Sequence, residues 1–395
     1  MDTRKPFTAK LALMANALFA LTNGSLYSWS AFVIPIEQST GLGRSETALV
    51  FSSLLLFFSI GMILCGAIMH RIGARPTVGL GSLLLASGLA LSSQSTELWQ
   101  FILSYGFCGG MGIGLSNIIP RSASLSWYPN KSGLIFGVMT FVLALGTLLF
   151  GSILAVRLIP VIGWENTMFT LAGIVIVLSC IGLPFVRFAQ RKSRSASKAD
   201  DDSLTPKQVL KTRGFRRVWL WGVFLQASGL MVIGHIVPYA IEQGVSAAQA
   251  GAAMGAYAIV NGFGRLFFGI LFDRKGFRFS MMLDTLCMGT GMLLLVFLPP
   301  VMGFSGLIIS VAFIALSYGG SIPQGGAYVI RYGRAHLETN LGLIGSMAMA
   351  AGFAGPYIGG FLHSAAGSYM PALLAGAAMT IPSALFLLAA PDDRS

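Results

Sequence analysis

Tyr257, Asn261 and Arg265 lie one helical turn apart and put a phenol, an amide and a guanidinium on one face of the otherwise apolar stretch YAIVNGFGRLFFGILFDRKGFR, residues 257–278. Arginine stays protonated and presents a planar donor fork that matches a carboxylate, so the chemistry on offer is anion recognition. Arg265 precedes Asp273 by eight residues, which places it ~12 Å along the helix from that charged end. If the segment crosses a membrane, a charge at that depth costs roughly 2.5 kcal/mol or more, and it is expected to face a central cavity and meet an anion. The competing role is packing, with the stem snorkelling outward or the head paired with an acid elsewhere.

Other polar side chains recur at helical spacing. In GIGLSNIIPRSASLSWYP, Asn117 and Arg121 share a face; a dianion held between Arg121 and Arg265 is one reading, and a snorkelling or gating arginine is the other. Asn23 with Tyr27, and Tyr318 with Ser321, Gly325 and Tyr328, form two further faces. Their rings and hydroxyls suit a small organic acid, and aromatic packing between helices competes with that role. His235, in SGLMVIGHIVPYA, is the best available proton carrier, with a hydrogen-bonded structural histidine as the alternative. Asp284 is the one acid well inside a hydrophobic run, and its plain expectation is to pair with a neighbouring base.

The elements that position these residues must lie in lipid. The chain of 395 residues is 55% hydrophobic and only 10% charged, against about one-quarter charged for soluble domains. Its mean hydropathy is +0.76. Cys65, Cys108, Cys180 and Cys287 sit apart in apolar runs and read as packing residues. The start, MDTRKPFTAKLALMANALFA, has the charge and apolar run of a leader but continues toward Ile36, so it reads as an uncleaved first helix. There is no GxxxxGK[ST] loop and no HExxH pair, and His70, His235, His336 and His363 are too dispersed for a haem or metal centre. An enzyme, a cofactor and a metal are therefore not expected.

Hydropathy and breakers predict helices near 10–35, 46–69, 76–95, 99–127, 131–156, 165–189, 217–241, 248–272, 278–299, 303–330, 339–363 and 368–390. The fold class is all-α integral membrane, with 1–189 and 215–395 as two six-helix bundles and the polar stretch 190–214 as a cytoplasmic linker. Alternate connections collect Arg71, Arg75, Lys131, the 187–217 cluster, Arg274, Lys275, Arg278, Arg331 and Arg334 on one side, leaving Arg44 and Arg157 on the other. That asymmetry puts both termini in the cytoplasm and accounts for the net charge of +12 without nucleic acid. Gly66, Arg71, Gly73 and Arg75 recur 203 residues later as Gly269, Arg274, Gly276 and Arg278, as a duplicated six-helix unit requires. The glycines Gly109, Gly110, Gly112 and Gly114 lie inside an apolar helix, where they serve close packing and not a dinucleotide.

Gly269, Asp273, Arg274, Gly276 and Arg278 match GxxxDRxGxR, the mark of the major facilitator superfamily, and the chain resembles that superfamily throughout. The first copy departs, with His70 at the acidic position beside Arg71 and Arg75. The resemblance implies that these loop residues help to lock the two halves; His70 puts a symmetric lock in doubt and offers a pH-sensitive contact. NGSLYSWSAFVIPI, SWYPNKSGLIFG, NGFGRLFFGILFDRKG and AGFAGPYIGG, in that order, resemble the oxalate/formate antiporter family and the monocarboxylate transporters. Arg265 stands where those antiporters have an arginine, which implies carboxylate binding. Asn261 stands where animal-type monocarboxylate transporters have an aspartate linked to proton coupling, so the chain leans toward the antiporter branch. The run NLGLIGSMAMAAGFAGPYIGGFL lacks the lysine of the oxalate carrier, which favours a singly charged substrate, whereas Arg121 stands where those relatives usually have an uncharged residue.

The expected function is secondary transport, by alternating access, of a small organic anion such as lactate, pyruvate or formate, as anion exchanger or proton symporter. The expected setting is a plasma membrane of bacterial inner-membrane type, and the expected state a monomer embedded in lipid. The alternatives are a dicarboxylate antiporter of oxalate type, an efflux or sugar carrier, and a transporter-like sensor that binds without turnover.

Overall fold

Inside hydrocarbon every backbone N–H and C=O must be bonded within its own segment, and an apolar helix does this. The computed structural model describes residues 4–189 and 203–390, which form helices and short turns without a strand among the described residues. The first crossing runs through Arg4–Asn23, a 3-10 turn Gly24–Tyr27, and Trp29–Thr40. Glu46–Ile72, Ala74–Ser92, Leu98–Trp127, Ser132–Ala155 and Arg157–Phe185 are the second to sixth. The seventh joins Arg213–Ile233 to His235–Glu242 with a 54° bend. Gln249–Phe297, with 49 residues, is too long for one crossing of about 20. It turns at Gly276, whose φ of 80° only glycine adopts cheaply, and so supplies the eighth and ninth spans. Pro299–Tyr332, Leu337–Ala366 and Met370–Leu388 complete twelve crossings among the described residues.

Contacts divide the chain into two units. One gathers Met1–Pro129, Val142–Ser203 and Gly333–Leu343; the other gathers Asn130–Phe141, Leu204–Tyr332 and Ile344–Ser395. The short segments 130–141 and 333–343 begin 203 residues apart, the period of the sequence repeat. Of the expected linker, 190–202 lies outside the described residues, while Pro206–Lys211 is a helix capped by Thr205.

In the first unit Trp29, Phe101, Tyr105 and Trp164 make an aromatic core, with Trp29 4.6 Å from Tyr105 and 5.9 Å from Phe101 between ring centres. The glycines of the fourth span let it lie against two neighbours: a methyl on Gly110 would press on Leu54 of the second span, and one on Gly112 would collide with Leu85 of the third. In the second unit the eighth and tenth spans meet backbone to backbone, because a methyl on Gly264 would strike the Leu316 carbonyl and one on Gly319 the Asn261 carbonyl. Residues 132–141 of the fifth span reach the eighth in the same way, through Gly133 against Gly269 and Gly137 against the Arg265 carbonyl.

Gly319→Ala is expected to force the eighth and tenth spans apart and to cost about 1–3 kcal/mol. The melting temperature of the detergent-purified protein should fall, while Gly251→Ala, at a helical position with nothing within 4 Å of the added methyl, should not lower it.

Candidate functional site

The site grows from the eighth span of the second unit. Arg265 is only 9% exposed, and Asn261 and Tyr257, one and two turns earlier, are 7% and 5% exposed. Arg265 Nε donates to Asn261 Oδ1 at 3.1 Å, and one terminal nitrogen donates to the Thr140 carbonyl at 2.8 Å. Two of its bonds therefore go to neutral oxygens that fix the fork without cancelling its charge. The Tyr257 hydroxyl is buried and faces Asn261 without reaching hydrogen-bond geometry to it. The Tyr318 ring stands 6.3 Å from that of Tyr257. Tyr257, Asn261, Arg265 and Tyr318 are thus brought together, with the Thr140 carbonyl as a fifth member.

Tyr328 lies elsewhere. It packs edge-on to Phe277 at 5.1 Å and Tyr332 at 6.0 Å, with the Arg331 guanidinium 4.8 Å from its ring centre. His235 donates from Nε2 to the Pro356 carbonyl at 3.1 Å and lies 5.4 Å from the Tyr369 ring, which stacks on His363 at 3.9 Å. In the first unit Asn117 is buried with no partner for Oδ1, and Asn23 accepts from Ser116 Oγ at 2.8 Å. Arg121 is half-buried. Tyr27 lies in the 3-10 turn, and its side chain is outside the described residues.

The repeated loops show how the two copies differ. Asp273 accepts from the amides of Gly133 and Leu134 at 2.8 Å each and from Ser132 Oγ at 3.3 Å, so it caps the N-terminus of Ser132–Thr147. A carboxylate there meets open N–H groups and the positive end of the helix dipole. Arg278 donates to the Ala390 carbonyl at 2.8 Å and Arg75 to the Val186 carbonyl at 3.1 Å, each binding the chain just beyond the last helix of its repeat. Arg274 and Arg71 are exposed. His70, at the repeat position of Asp273, lies 6.1 Å from His336 between ring centres. The acid missing there is found on the other partner: Glu338, 4% exposed, sits in the first turn of Leu337–Ala366 beside His70, His336 and Ser122.

Asp284 corrects the expectation of a basic partner. It is fully buried, and its Oδ2 accepts from Gln324 Nε2 at 2.6 Å, an amide of the tenth span. Thr140, Gln324 and Glu338 were not reached from sequence. The first acts through its backbone, which carries no residue signature; Gln324 had a helical apolar run around it, where a buried amide is itself the signal.

Comparison with known proteins follows the same line. The Major Facilitator Superfamily matches residues 13–332 and 236–395. The chain is 26% identical over 346 residues to the Escherichia coli K12 protein named uncharacterized MFS-type transporter YhjX, covering 85% of this chain and 84% of that one. It is 22% identical to the oxalate:formate antiporter of Oxalobacter formigenes, covering 80% and 74%, and 26% identical to monocarboxylate transporter 4 of Rattus norvegicus, covering 91% and 78%. The crystal structure of the transporter FucP in the outward conformation superposes with a TM-score of 0.72 at 17% identity, covering 97% and 99%.

Asp273→Ala, which removes the acceptor for two amides, is expected to destabilise the protein by about 1 kcal/mol. Asp273→Asn should lose less, since its oxygen still accepts; thermal denaturation of both variants in detergent gives the order.

Proposed function

The chain belongs to the Major Facilitator Superfamily, a multi-pass membrane transporter, and we propose that it carries small organic carboxylates, reading their negative charge with Arg265. The observation that carries this reading is a guanidinium buried within a span and set in place by an amide and a backbone carbonyl. Charge-assisted pairing with a carboxylate is worth most in such a water-poor setting. The Tyr257 hydroxyl adds a buried donor one turn from Asn261, and the Tyr318 ring bounds the space for the substrate's short carbon skeleton. The relatives named for oxalate:formate antiport and monocarboxylate transport support a substrate of this class.

A monocarboxylate of the size of formate, lactate or pyruvate suits one guanidinium. It would be carried by alternating access across a bacterial inner membrane, with both chain termini on the cytoplasmic side. Asp273, Arg278 and their counterparts around His70 and Glu338 fasten helix ends, and these fastenings would be made and released as the carrier changes state.

The test is uptake of labelled formate, L-lactate and oxalate into proteoliposomes, with and without internal unlabelled anion. Arg265→Lys keeps the charge and loses the fork, and is expected to reduce trans-stimulated uptake by about 10- to 100-fold. Full uptake by that variant would overturn the assignment of Arg265.

A further inference from the structure

We propose that Asp284 and Gln324 form a proton-binding site that the tenth span couples to the anion site, so that the carrier moves a proton with its substrate; the coupling rests on the carboxylate reading above. Asp284 stands eight residues after Gly276, ~12 Å into the ninth span. Both it and Gln324 are fully buried. The hydrogen bond between them uses Asp284 Oδ2 and Gln324 Nε2, and it leaves Asp284 Oδ1 and Gln324 Oε1 buried without a hydrogen-bond partner.

The donors packed around them are committed elsewhere. Ser317 of the tenth span donates to the Asp284 backbone carbonyl at 2.9 Å. Thr285 donates to the Met281 carbonyl and accepts from Trp221 of the seventh span, whose own carbonyl is taken by Ser383 of the twelfth. Ser280 turns to the Phe268 carbonyl of the eighth span. Cys287, on Asp284's own helix, is the one titratable neighbour among the described residues, and no cation faces the carboxyl from these spans.

Two orphaned acceptors on side chains already paired need one hydrogen. A proton on Asp284 Oδ1 turns it into a donor, and the Gln324 oxygen is the acceptor that lacks one; acid and amide then satisfy each other completely. A bare carboxylate in the same place would leave a buried charge with one neutral partner, the arrangement that buried sites avoid. The exchange is a plain protonation: one proton passes between water and Asp284, and no other bond changes.

The tenth span gives this site its link to Arg265. On one side Gly319 packs against the backbone of Asn261 and Arg265; on another Ser317 and Gln324 hold Asp284. Pro323 lies between Gly319 and Gln324, immediately before the latter. It has no N–H to bond the Gly319 carbonyl, so the helix is weakest between Gly319, which meets the anion site, and Gln324. Movement of the tenth span against Arg265 would draw the Gln324 amide from Asp284 and let the proton leave.

Infrared difference spectra of the purified protein, titrated from about pH 5 to about pH 10, read the protonated-carboxyl stretch without any substrate. The expected result is a band that disappears as pH rises, is absent in Asp284→Asn and shifts in Gln324→Leu. No band assignable to Asp284, or one that stays constant across the titration, would overturn the proposal. In proteoliposomes Asp284→Asn should keep formate or L-lactate counterflow and lose uptake driven by a pH gradient; gradient-driven uptake equal to wild type would also overturn it. Loss of carboxylate dependence in Arg265→Lys together with an intact titrating band separates the two readings: anion flux tests Arg265, and the band tests Asp284.

Discussion

A guanidinium inside an apolar span cannot shed its proton, so the protein around it must supply oxygen, and the second unit is arranged to do so. Asn261 provides one oxygen from the same helix face. The other comes from the Thr140 backbone, and a backbone can approach only where side chains are missing. Gly133, Gly137 and Gly269 clear that path, and Gly319 clears the opposite one for the tenth span. The high glycine content is thus tied to the placement of one charge. Close packing of helix on helix here yields a polar socket, built from main chain, in a segment whose side chains are nearly all apolar.

The duplication is faithful in backbone and unfaithful in charge. Gly73 and Gly276 both turn at positive φ, and Arg75 and Arg278 both bind carbonyls beyond the last helix of their repeat. Yet Met62 occupies the repeat position of Arg265, and His70 that of Asp273. In one copy the acid reaches across to cap the neighbouring helix; in the other the capped helix carries its own acid, Glu338. Both solutions bring a carboxyl group to a helix N-terminus. They differ in where the acid stands, since Asp273 belongs to the segment that meets the helix, whereas Glu338 belongs to the helix itself.

Hydropathy was enough to read the twelve crossings, because lipid allows few alternatives to a long apolar helix. The repeat was visible because its glycines answer a backbone requirement that no other residue meets cheaply. Tyr257, Asn261 and Arg265 were legible from spacing alone, since one helix face is a one-dimensional property. Partners contributed by other helices were not. The Thr140 carbonyl leaves no mark in the sequence, and Asp284 was expected to find a base where the fold offers Gln324. Tyr318 and Tyr328 share a helix face by spacing, but they sit three turns apart and meet different neighbours, Tyr257 in one case and Phe277 with Arg331 in the other.

The contact of Gly133 with Gly269 has a mechanical side. Where side chains interlock, sliding one helix past another requires rotamers to change, and the surface resists in steps. Two glycine backbones present a smooth bearing with no such detents. Resistance to any sliding would then fall on the three hydrogen bonds of Asp273 at the end of that bearing. In the proposed transport cycle such a joint would act as a latch on a hinge: the surfaces would set the direction of travel, and one side chain how often it begins.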